Sequence, residues 1–286
     1  MTLLTVEWDI DVVTRSSIIH RDDYNLGGAT TFTLFRSAEI IAANGKALRV
    51  PIVSGNSFRG ILRRIGERLT ASILDYENSL PVPAAHLLTN GGRLAKTNKP
   101  LTDEQERHLK ELLPQVAVFG GSASGRILSG LLTVSDVLPE IAELAHILPR
   151  TPTAALPAAK TVLTAEGFTH LNDHRPQASQ PPRPDYDTTS PLGRFTVETL
   201  RAGTRLQAWA CLDNATAAQV SFLTDVLRVF AVRGHLGARS AVGHGQITAT
   251  INSTVQRGEL STDAVDWQGE LARNRDDAIA ALAALT

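Results

Sequence analysis

The stretch from Pro51 to Arg64 places an apolar run, a polar turn and an amphipathic helix directly after one another. Residues 50–53 suit the end of a buried strand, and the turn Ser54-Gly55-Asn56-Ser57 follows it. Apolar residues recur at i, i+3 and i+4 from Phe58 onward, which is the pattern of a helix with one core-facing side. Ser57 is the predicted N-cap of that helix. The chain must therefore adopt a fold in which a strand passes directly into a packed helix.

The same stretch combines glycines with arginines at a helix N-terminus. Gly55 gives the turn backbone freedom, and Gly60 removes a side chain from the first helical turn. Arg59, Arg63 and Arg64 are predicted to lie outside the core face. Free N–H groups and the positive end of the helix dipole favour a phosphate at such a position. The alternative is an ordinary strand–turn–helix junction with a solvated arginine face, and the turn is not a Walker loop because no Gly-Lys-Ser/Thr closes it.

The composition is that of a globular protein and excludes several classes of function. The 286 residues are 43% hydrophobic and 20% charged with a formal net charge of −1, which suits one large domain or two small ones. A net charge near zero argues against a uniformly basic coat for nucleic acid, but it allows a local basic groove. The single cysteine, Cys211, excludes an internal disulfide and a multi-thiolate metal site.

No membrane-spanning segment is expected, because the sequence has no run of about 18 apolar residues. The N-terminal residues meet an acidic side chain at Glu7 and lack the charged start of a signal peptide. The predicted location is therefore the cytoplasm.

Two parts of the chain each combine alternating strands with one long helix. Residues 3–14 alternate between apolar and polar, and the first helix is predicted to continue to about Leu74. In the last third of the chain, two more alternating strands precede a helix over residues 215–232, capped by Asn214, and a closing strand over 246–251. This order of elements predicts an α+β fold of the ferredoxin or RRM type with large insertions in its middle.

The segment 139–194 has no clear periodicity and is punctuated by prolines. A long stretch of this kind inside a compact domain predicts a functional insertion, here a projecting hairpin or thumb. His170, Asp173 and His174 are its potential metal ligands. Their spacing is loose and no further strong ligand lies nearby, so neither a metal nor a cofactor is predicted.

Glycine-rich segments recur at three places, each with an arginine inside or beside it: Arg59, Arg126 and Arg239. The second segment contains Gly120-Gly121, and the third runs from Gly234 to Gly245. Backbone N–H groups and arginine forks bind phosphates without reading base sequence. The recurrence therefore favours phosphate binding over catalysis, although each loop taken alone is also compatible with a connection that binds no ligand.

These loops resemble motifs of the CRISPR RAMP superfamily and occur in the same order. Ser54-Gly-Asn-Ser-Phe-Arg-Gly60 resembles the signature G-N/S-S-L/F-R/K-G. Phe119-Gly-Gly121, Gly125-Arg126 and Thr133-Val-Ser-Asp136 resemble the second block, and residues 234–245 are similar to the C-terminal glycine-rich loop. His86-Leu-Leu-Thr-Asn-Gly-Gly92 followed by residues 118–126 is most similar to the type IV version of the repeated backbone subunit, the Cas-seven group.

The resemblance implies an α+β fold with a modified RRM/ferredoxin-like palm, inserted helical fingers and a projecting thumb hairpin. Residues 1–80 and 194–256 are the predicted palm, 81–138 the helical and glycine-rich insertion, 139–193 the thumb and 257–286 a C-terminal helix. The resemblance also implies a subunit that polymerises along crRNA, binds its phosphate backbone and presents the guide for pairing. The expected partners are crRNA, copies of the chain in a helical filament, other CRISPR effector subunits and a target nucleic acid, without a membrane.

The residues expected to contact RNA lie in the three loops and in one segment upstream of them. They are Ser54, Gly55, Asn56, Ser57, Arg59, Arg63, Gly120, Gly121, Arg126, Arg239, His235 and Arg36. No catalytic residue is expected among them, and the chain is predicted not to be an enzyme.

A ribonuclease of the same superfamily is the alternative. The resemblance to type III backbone subunits implies a catalytic Asp before the first turn, and the matching position falls on Arg36, with Glu39 nearby and Asp22 and Asp23 further upstream. The loss of this Asp argues for binding without cleavage. His20 is a second candidate, as a general acid or base in crRNA processing. A nucleotide-phosphate enzyme is a third hypothesis, which the lack of a Mg²⁺-binding motif opposes.

Overall fold

The computed structural model describes residues 3–22, 32–76, 79–94, 97, 99–171, 192–260 and 265–285. Its strands are β1 (Leu4–Thr14), β2 (Phe32–Thr33), β3 (Ser37–Ile41), β4 (Ala47–Pro51), β5 (Gly121–Ala123), β6 (Arg126–Leu128), β7 (Leu132–Val134), β8 (Leu138–Pro139), β9 (Leu163–Leu171), β10 (Leu192–Leu200), β11 (Arg205–Ala215) and β12 (Ile247–Arg257). Its α-helices are α1 (Gly55–Leu74), α2 (Val82–Asn90), α3 (Asp103–Leu112), α4 (Pro114–Phe119), α5 (Ala159–Val162), α6 (Ala217–Arg233), α7 (Trp267–Arg273) and α8 (Arg275–Ala283). The predicted α+β class is confirmed.

The central sheet is antiparallel, with the strand order β12-β1-β11-β7, and β8 also pairs with β11. Its middle strand, β1, shows the alternation that the sequence predicts. One face is buried along its whole length, with the side chains of Leu4, Val6, Trp8, Ile10 and Val12. The other face carries polar and acidic residues. A half-buried strand was therefore predicted correctly at residues 3–14.

Helices α1 and α6 cover the buried face of this sheet. The Phe58 ring on α1 packs against Phe230 on α6, with 5.3 Å between ring centroids. Phe222, also on α6, contacts the Trp267 ring edge-on at 4.9 Å. Fully burying one side chain of this size contributes roughly 1.5–3 kcal/mol. The Phe58–Phe230 contact packs the N-terminal end of α1 against α6.

Strands β7 and β8 lie in the central sheet, and β7 and the first residue of β8 belong to the segment 81–138 that was predicted as a helical and glycine-rich insertion. Leu132, Thr133 and Val134 pair with β11, as do Leu138 and Pro139. The sheet strands and their covering helices thus follow one another along the chain as β1, α1, β7, β11, α6 and β12.

A second sheet has the order β2-β10-β9. Strands β9 and β10 pair antiparallel from Leu163 opposite Leu200 to Leu171 opposite Leu192, and β2 runs parallel to β10. The prediction that 139–194 lacks regular structure is therefore wrong for residues 163–171. The side chains from Leu163 to Thr169 are all at least partly exposed, so this part of the strand has no buried face that would require a regular alternation of apolar and polar residues.

Several helix boundaries differ from the prediction for local reasons. Helix α6 is capped by Thr216 rather than Asn214, because β11 continues as far as Ala215, opposite Leu4. The predicted C-terminal helix is two helices, which meet at Asn274. The sequence also predicts a charged helix over residues 103–113 that is capped by Thr102, and this cap of α3 is confirmed. No helix within the described ranges is both long and apolar enough to cross a membrane.

Candidate nucleic-acid interface

Helix α1 begins three residues earlier than the sequence predicts. Its first residue is Gly55, and Ser54, in an extended conformation, is its N-cap. The Ser54 hydroxyl accepts the N–H of Ser57 at 3.4 Å. The prediction of Ser57 as the cap is therefore wrong, and Asn56 and Ser57 lie in the first helical turn, exposed and half-buried respectively.

The N-terminal end of α1 is closed by a carboxylate of the protein itself. Asp136 Oδ1 accepts the N–H of Gly55 at 2.6 Å. A Cβ atom at position 55 would lie 2.9 Å from the carbonyl oxygen of Ser135, so the absent side chain makes room for residues 135–136. The N–H group of Gly55, which the sequence predicts to bind a phosphate, thus already donates a hydrogen bond within the protein. Since a carboxylate repels phosphate, this helix end is a weak anion site.

His20 reaches the same helix end from the opposite side. Its Nε2 atom accepts the backbone N–H of Ser54 at 3.2 Å and lies 3.2 Å from the Ser54 hydroxyl. Its ring packs edge-on to Phe35, with 6.1 Å between centroids. A nitrogen that accepts an N–H bond carries no proton, so this imidazole holds its proton on Nδ1. The geometry makes His20 part of the cap of α1.

Two arginines of α1, Arg59 and Arg63, point into the protein, whereas Arg64 is exposed. Arg63 is only 7% exposed, so the prediction that it lies outside the core is wrong. Its guanidinium donates to the carbonyls of Gly120 and Phe119, both at 2.8 Å, and to that of Leu87 at 3.3 Å. Burial, and then the charge of Arg59, lower the pKa of Arg63 to about 10. Arg59 is half-buried and donates to the Leu132 carbonyl at 3.3 Å, and burial lowers its pKa too.

The second glycine-rich segment is a compact hairpin that packs on the protein. Strands β5 and β6 pair, and Ser124 and Gly125 between them both have positive φ. A Cβ atom at Gly120 would lie 2.3 Å from the Leu128 carbonyl oxygen, and one at Gly121 would lie 2.6 Å from that of Gly91. These glycines therefore permit close backbone packing inside the fold, and they leave no room for a ligand strand.

Arg126 in this hairpin is neutralised by helix α3. Its guanidinium pairs with Asp103 and Glu106, each at 2.6 Å, and donates to the Leu101 carbonyl at 3.2 Å. The hydrogen bond that Arg126 donates to Asp103 and the charges of both carboxylates raise the pKa of Arg126. The carboxylates in the first turn of α3 thus neutralise Arg126, the arginine that the sequence predicts to bind phosphate.

The third glycine-rich segment presents an exposed cation. Arg239 has a left-handed backbone (φ 59°), and its guanidinium carbon lies 4.5 Å from the centroid of the Phe168 ring on β9. The His244 ring contacts the same phenyl ring edge-on at 5.4 Å, and its Nδ1 lies 3.0 Å from the Ser17 hydroxyl. Among the described residues, no carboxylate pairs with Arg239. We refer to Arg239, Phe168 and His244 as the cation–aromatic cluster.

A cavity of about 350 Å³ lies beside this loop, and its lining is basic. The cationic and polar residues that line it are Arg15, Arg233, His235, Gln246 and Thr248, and the lining includes no acidic residue. Within the described ranges, no carboxylate pairs with either arginine of this cavity. The cavity and the cluster together bring Arg15, Arg233 and Arg239 to the surface around the third loop.

The segment 17–20 connects the first and third loops. Ser17 and Ile19 accept backbone N–H bonds from Gly245 and Ala238, at 2.8 and 2.7 Å. His20, in the same segment, contacts Ser54, and its carbonyl accepts the N–H of Arg36 at 2.7 Å. The structure therefore brings together the first loop, the third loop and Arg36. The glycines of the second loop and Arg126 lie apart from this group, near the middle of α1.

The carboxylates that a nuclease would need are dispersed. Asp22 is nearly buried and pairs with Arg49 at 2.8 Å, while Glu39 is exposed on the β3–β4 hairpin. Asp23, Asp173 and His174 lie outside the described residues. Within those residues, no group of three or more His, Cys, Asp or Glu side chains has a geometry that could hold a metal ion.

Sequence reasoning missed three members of this surface: Phe168, His244 and Arg15. Phe168 falls in the segment predicted to lack regular structure, and its distance in sequence from Arg239 hides their contact. His244 lies inside the third loop, but the prediction was based on the glycines and Arg239 of that loop. His244, which lies inside the loop, is the member that the linear sequence could have identified, whereas no sequence signal links Phe168 or Arg15 to Arg239.

Comparison with known proteins gives a consistent assignment. A chain of a solved structure titled "Type IV-B CRISPR Complex" is similar to this one, with 50% sequence identity and a TM-score of 0.65, over 93% of this chain and 99% of that chain. A comparison with curated proteins gives no match. A family model described as "RAMP superfamily" matches residues 26–248, which is well over half of the sequence. The chain therefore belongs to the RAMP superfamily.

Proposed function

We propose that this chain is a crRNA-binding backbone subunit of a type IV CRISPR ribonucleoprotein. In this proposal it polymerises along the crRNA, binds the phosphate backbone without reading base sequence and presents the guide to a target nucleic acid. The observation that carries the proposal is the 50% identity to a chain of the Type IV-B CRISPR Complex over nearly the whole of both chains. The partners are then crRNA, copies of this chain and other effector subunits.

The strand order supports a palm of the RRM/ferredoxin type. The chain order β1, α1, β7, β11, α6, β12 is a β-α-β-β-α-β arrangement, and the sheet order is β12-β1-β11-β7. In this assignment the β9–β10 pair is the base of the thumb, and α2 to α4 form the fingers. The third loop lies against the palm and contacts the thumb through Phe168.

We assign the RNA backbone to the cation–aromatic cluster and the neighbouring basic cavity. Arginine guanidinium groups bind phosphates in a bidentate manner, and exposed aromatic rings stack with unpaired bases. Arg239, Arg15 and Arg233 supply the charge, and Phe168 and His244 supply the rings. His235 lines this cavity, and residues 17–20 connect the third loop to Arg36 and to the first loop, which contains Asn56. Arg63, Gly120, Gly121 and Arg126 instead support the fold.

The proposed function is binding without catalysis. By the resemblance to type III backbone subunits, Arg36 falls at the position of their catalytic Asp, and the buried carboxylate of Asp22 is neutralised by Arg49. His20 would have to release the Ser54 N–H before its Nε2 could exchange a proton with a substrate.

The test is incubation of the purified full-length chain with labelled single-stranded RNA and Mg²⁺. We expect the RNA to shift to large complexes, whose size grows with RNA length, and to stay intact. Binding should weaken steeply as salt rises, because phosphate contacts release counterions. Cleavage that Glu39→Ala or His20→Ala abolishes would establish the nuclease alternative. A complex that contains one protein copy on a long RNA would contradict polymerisation.

A further inference from the structure

Strand β12 forms a long edge of the central sheet. It has 11 residues and, within the described part of the chain, pairs only with β1. It contains no proline, glycine or lysine, and its single charged residue is Arg257 at its end. Natural edge strands are usually kept short or interrupted by such residues, because their unpaired N–H and C=O groups recruit other strands. The opposite edge of the same sheet follows that rule, since β7 and β8 have three and two residues.

The side chains beside this edge divide into an acidic row and an apolar row. On the face away from the helices, Thr254, Asn252 and Thr250 lie opposite Glu7, Asp9 and Asp11 of β1. Arg150 pairs with Asp9 and Asp11, at 2.7 and 2.6 Å, and Glu7 accepts a hydrogen bond from Gln256 at 2.7 Å, so one guanidinium is the only cation paired with these three carboxylates in the described part of the chain. On the other face, Ile251 is half-buried and Val255 is 38% exposed.

We propose that β12 docks an extended segment of another protein in which basic and apolar residues alternate. An added strand would lie about 4.8 Å beyond β12. From there, lysine or arginine side chains on one face can extend over the short Thr250, Asn252 and Thr254 side chains toward the acidic row. Apolar side chains on the other face would cover Ile251 and Val255. Backbone hydrogen bonds would supply affinity, and the two rows would set the register, as in other cases of strand addition.

A second copy of the chain fits this edge less well. Two β12 strands paired antiparallel around a two-fold axis would place both acidic rows on the same face of one continuous sheet. The β12 strand of a second copy would bring no basic side chain between residues 250 and 255 to the acidic row, so the charge of that row would stay uncompensated. The proposal therefore specifies a different protein, and it is independent of the RNA-binding proposal because its contacts lie along residues 250–255.

The test uses the RNA-free full-length chain and a labelled peptide in which lysine and valine alternate. We expect saturable binding by fluorescence anisotropy, and slower amide hydrogen exchange in β12 but not in β7. A peptide of the same composition, with its lysines and valines in separate blocks, and a peptide in which glutamate replaces lysine should bind at least about tenfold more weakly. Equal binding of the block peptide, or no protection of β12, would overturn the proposal.

The chain offers a matched pair of variants for this test. Thr254, Glu7, Cys211 and Thr133 form one row across the sheet, so Thr254 and Thr133 are exposed threonines at opposite edges. Thr254→Lys should weaken peptide binding about tenfold by opposing its lysines, whereas Thr133→Lys should leave it unchanged. RNA binding should be unaffected in both variants. If the free chain is instead a dimer that Thr254→Lys dissociates, and the peptide does not bind, the partner of β12 is a second copy of the chain rather than another protein.

Discussion

The carboxylate of Asp136 accepts the backbone N–H of Gly55 at 2.6 Å, across 81 positions of sequence. The contact joins two segments that resemble separate motifs of the superfamily, the glycine turn at 54–60 and the segment 133–136. A negative charge at a helix N-terminus is stabilising because it opposes the positive end of the helix dipole. Part of the motif similarity therefore reports the packing of α1 against the sheet, rather than contact with RNA.

Two glycine-to-alanine changes in α1 should have opposite effects on stability. Gly55→Ala should lower the free energy of unfolding by about 1–3 kcal/mol, because its Cβ would lie 2.9 Å from the Ser135 carbonyl oxygen. Gly60→Ala, with no atom within 4 Å of its Cβ, should raise it by about 0.5–1 kcal/mol through helix propensity. Urea denaturation measures both. Stabilisation by both alanines would contradict the close approach at Gly55.

Replacement of Arg63 should affect stability rather than RNA affinity. Arg63→Lys should lower the free energy of unfolding by about 1–3 kcal/mol, since one ammonium group cannot serve the Leu87, Phe119 and Gly120 carbonyls together. Arg64→Lys, on the exposed side of α1, should change it by less than about 0.5 kcal/mol. Urea denaturation and RNA titration of the same samples separate the two effects. A stable Arg63→Lys variant with weakened RNA binding would instead indicate that Arg63 contacts RNA.

Loss of the cation–aromatic cluster should weaken RNA binding without loss of stability. Arg239→Gln should reduce affinity about tenfold and lower the slope of log K against log salt by about one, because one phosphate contact disappears. Phe168→Leu should cost about 1–3 kcal/mol of binding through lost stacking. Fluorescence anisotropy with labelled RNA measures both. Arg228→Gln is the matched control, because Arg228 is exposed on α6 and pairs with Asp225.

Cys211 should react slowly with alkylating reagents in the folded protein. Burial, followed by the charges of Asp213 and Glu7, raises the pKa of its thiol to about 11. Because the folded state disfavours the thiolate, this group's contribution to stability is present below its unfolded pKa and is lost as pH rises through the folded value. The iodoacetamide reaction rate of the native chain should therefore keep rising toward pH 11, whereas the urea-unfolded chain reaches its plateau earlier. Coincident pH profiles would show that Cys211 is not shielded.

The sequence predicted elements with a strong local pattern and missed features that depend on distant contacts. The alternation in β1 and the Thr102 cap of α3 are local, and both predictions are confirmed. Arg63 was misplaced because its burial arises from α2 and α4, which cover a second side of α1. The cap of α6 was misplaced because pairing with β1 extends β11 past Asn214.

The candidate site was predictable in part for the same reason. The third loop and Arg239 carry a glycine–arginine signal in the sequence, and the structure leaves this arginine exposed. The second loop carries the same signal, but Arg126 is neutralised by Asp103 and Glu106 on a separate helix. Whether an arginine is available for a phosphate depends on where carboxylates lie in the folded chain, and a linear pattern does not contain that information.

The central position of β1 has a consequence for how the protein is made. This strand lies between β11 and β12, which follow it by roughly two hundred residues, and the Ser17–His244 contact spans 227 positions. Contacts this distant in sequence form late and slowly. A nascent chain on the ribosome consequently carries its first glycine loop without the cation–aromatic cluster. The surface proposed for RNA is completed only after β12 emerges, because Thr248 of that strand lines the basic cavity.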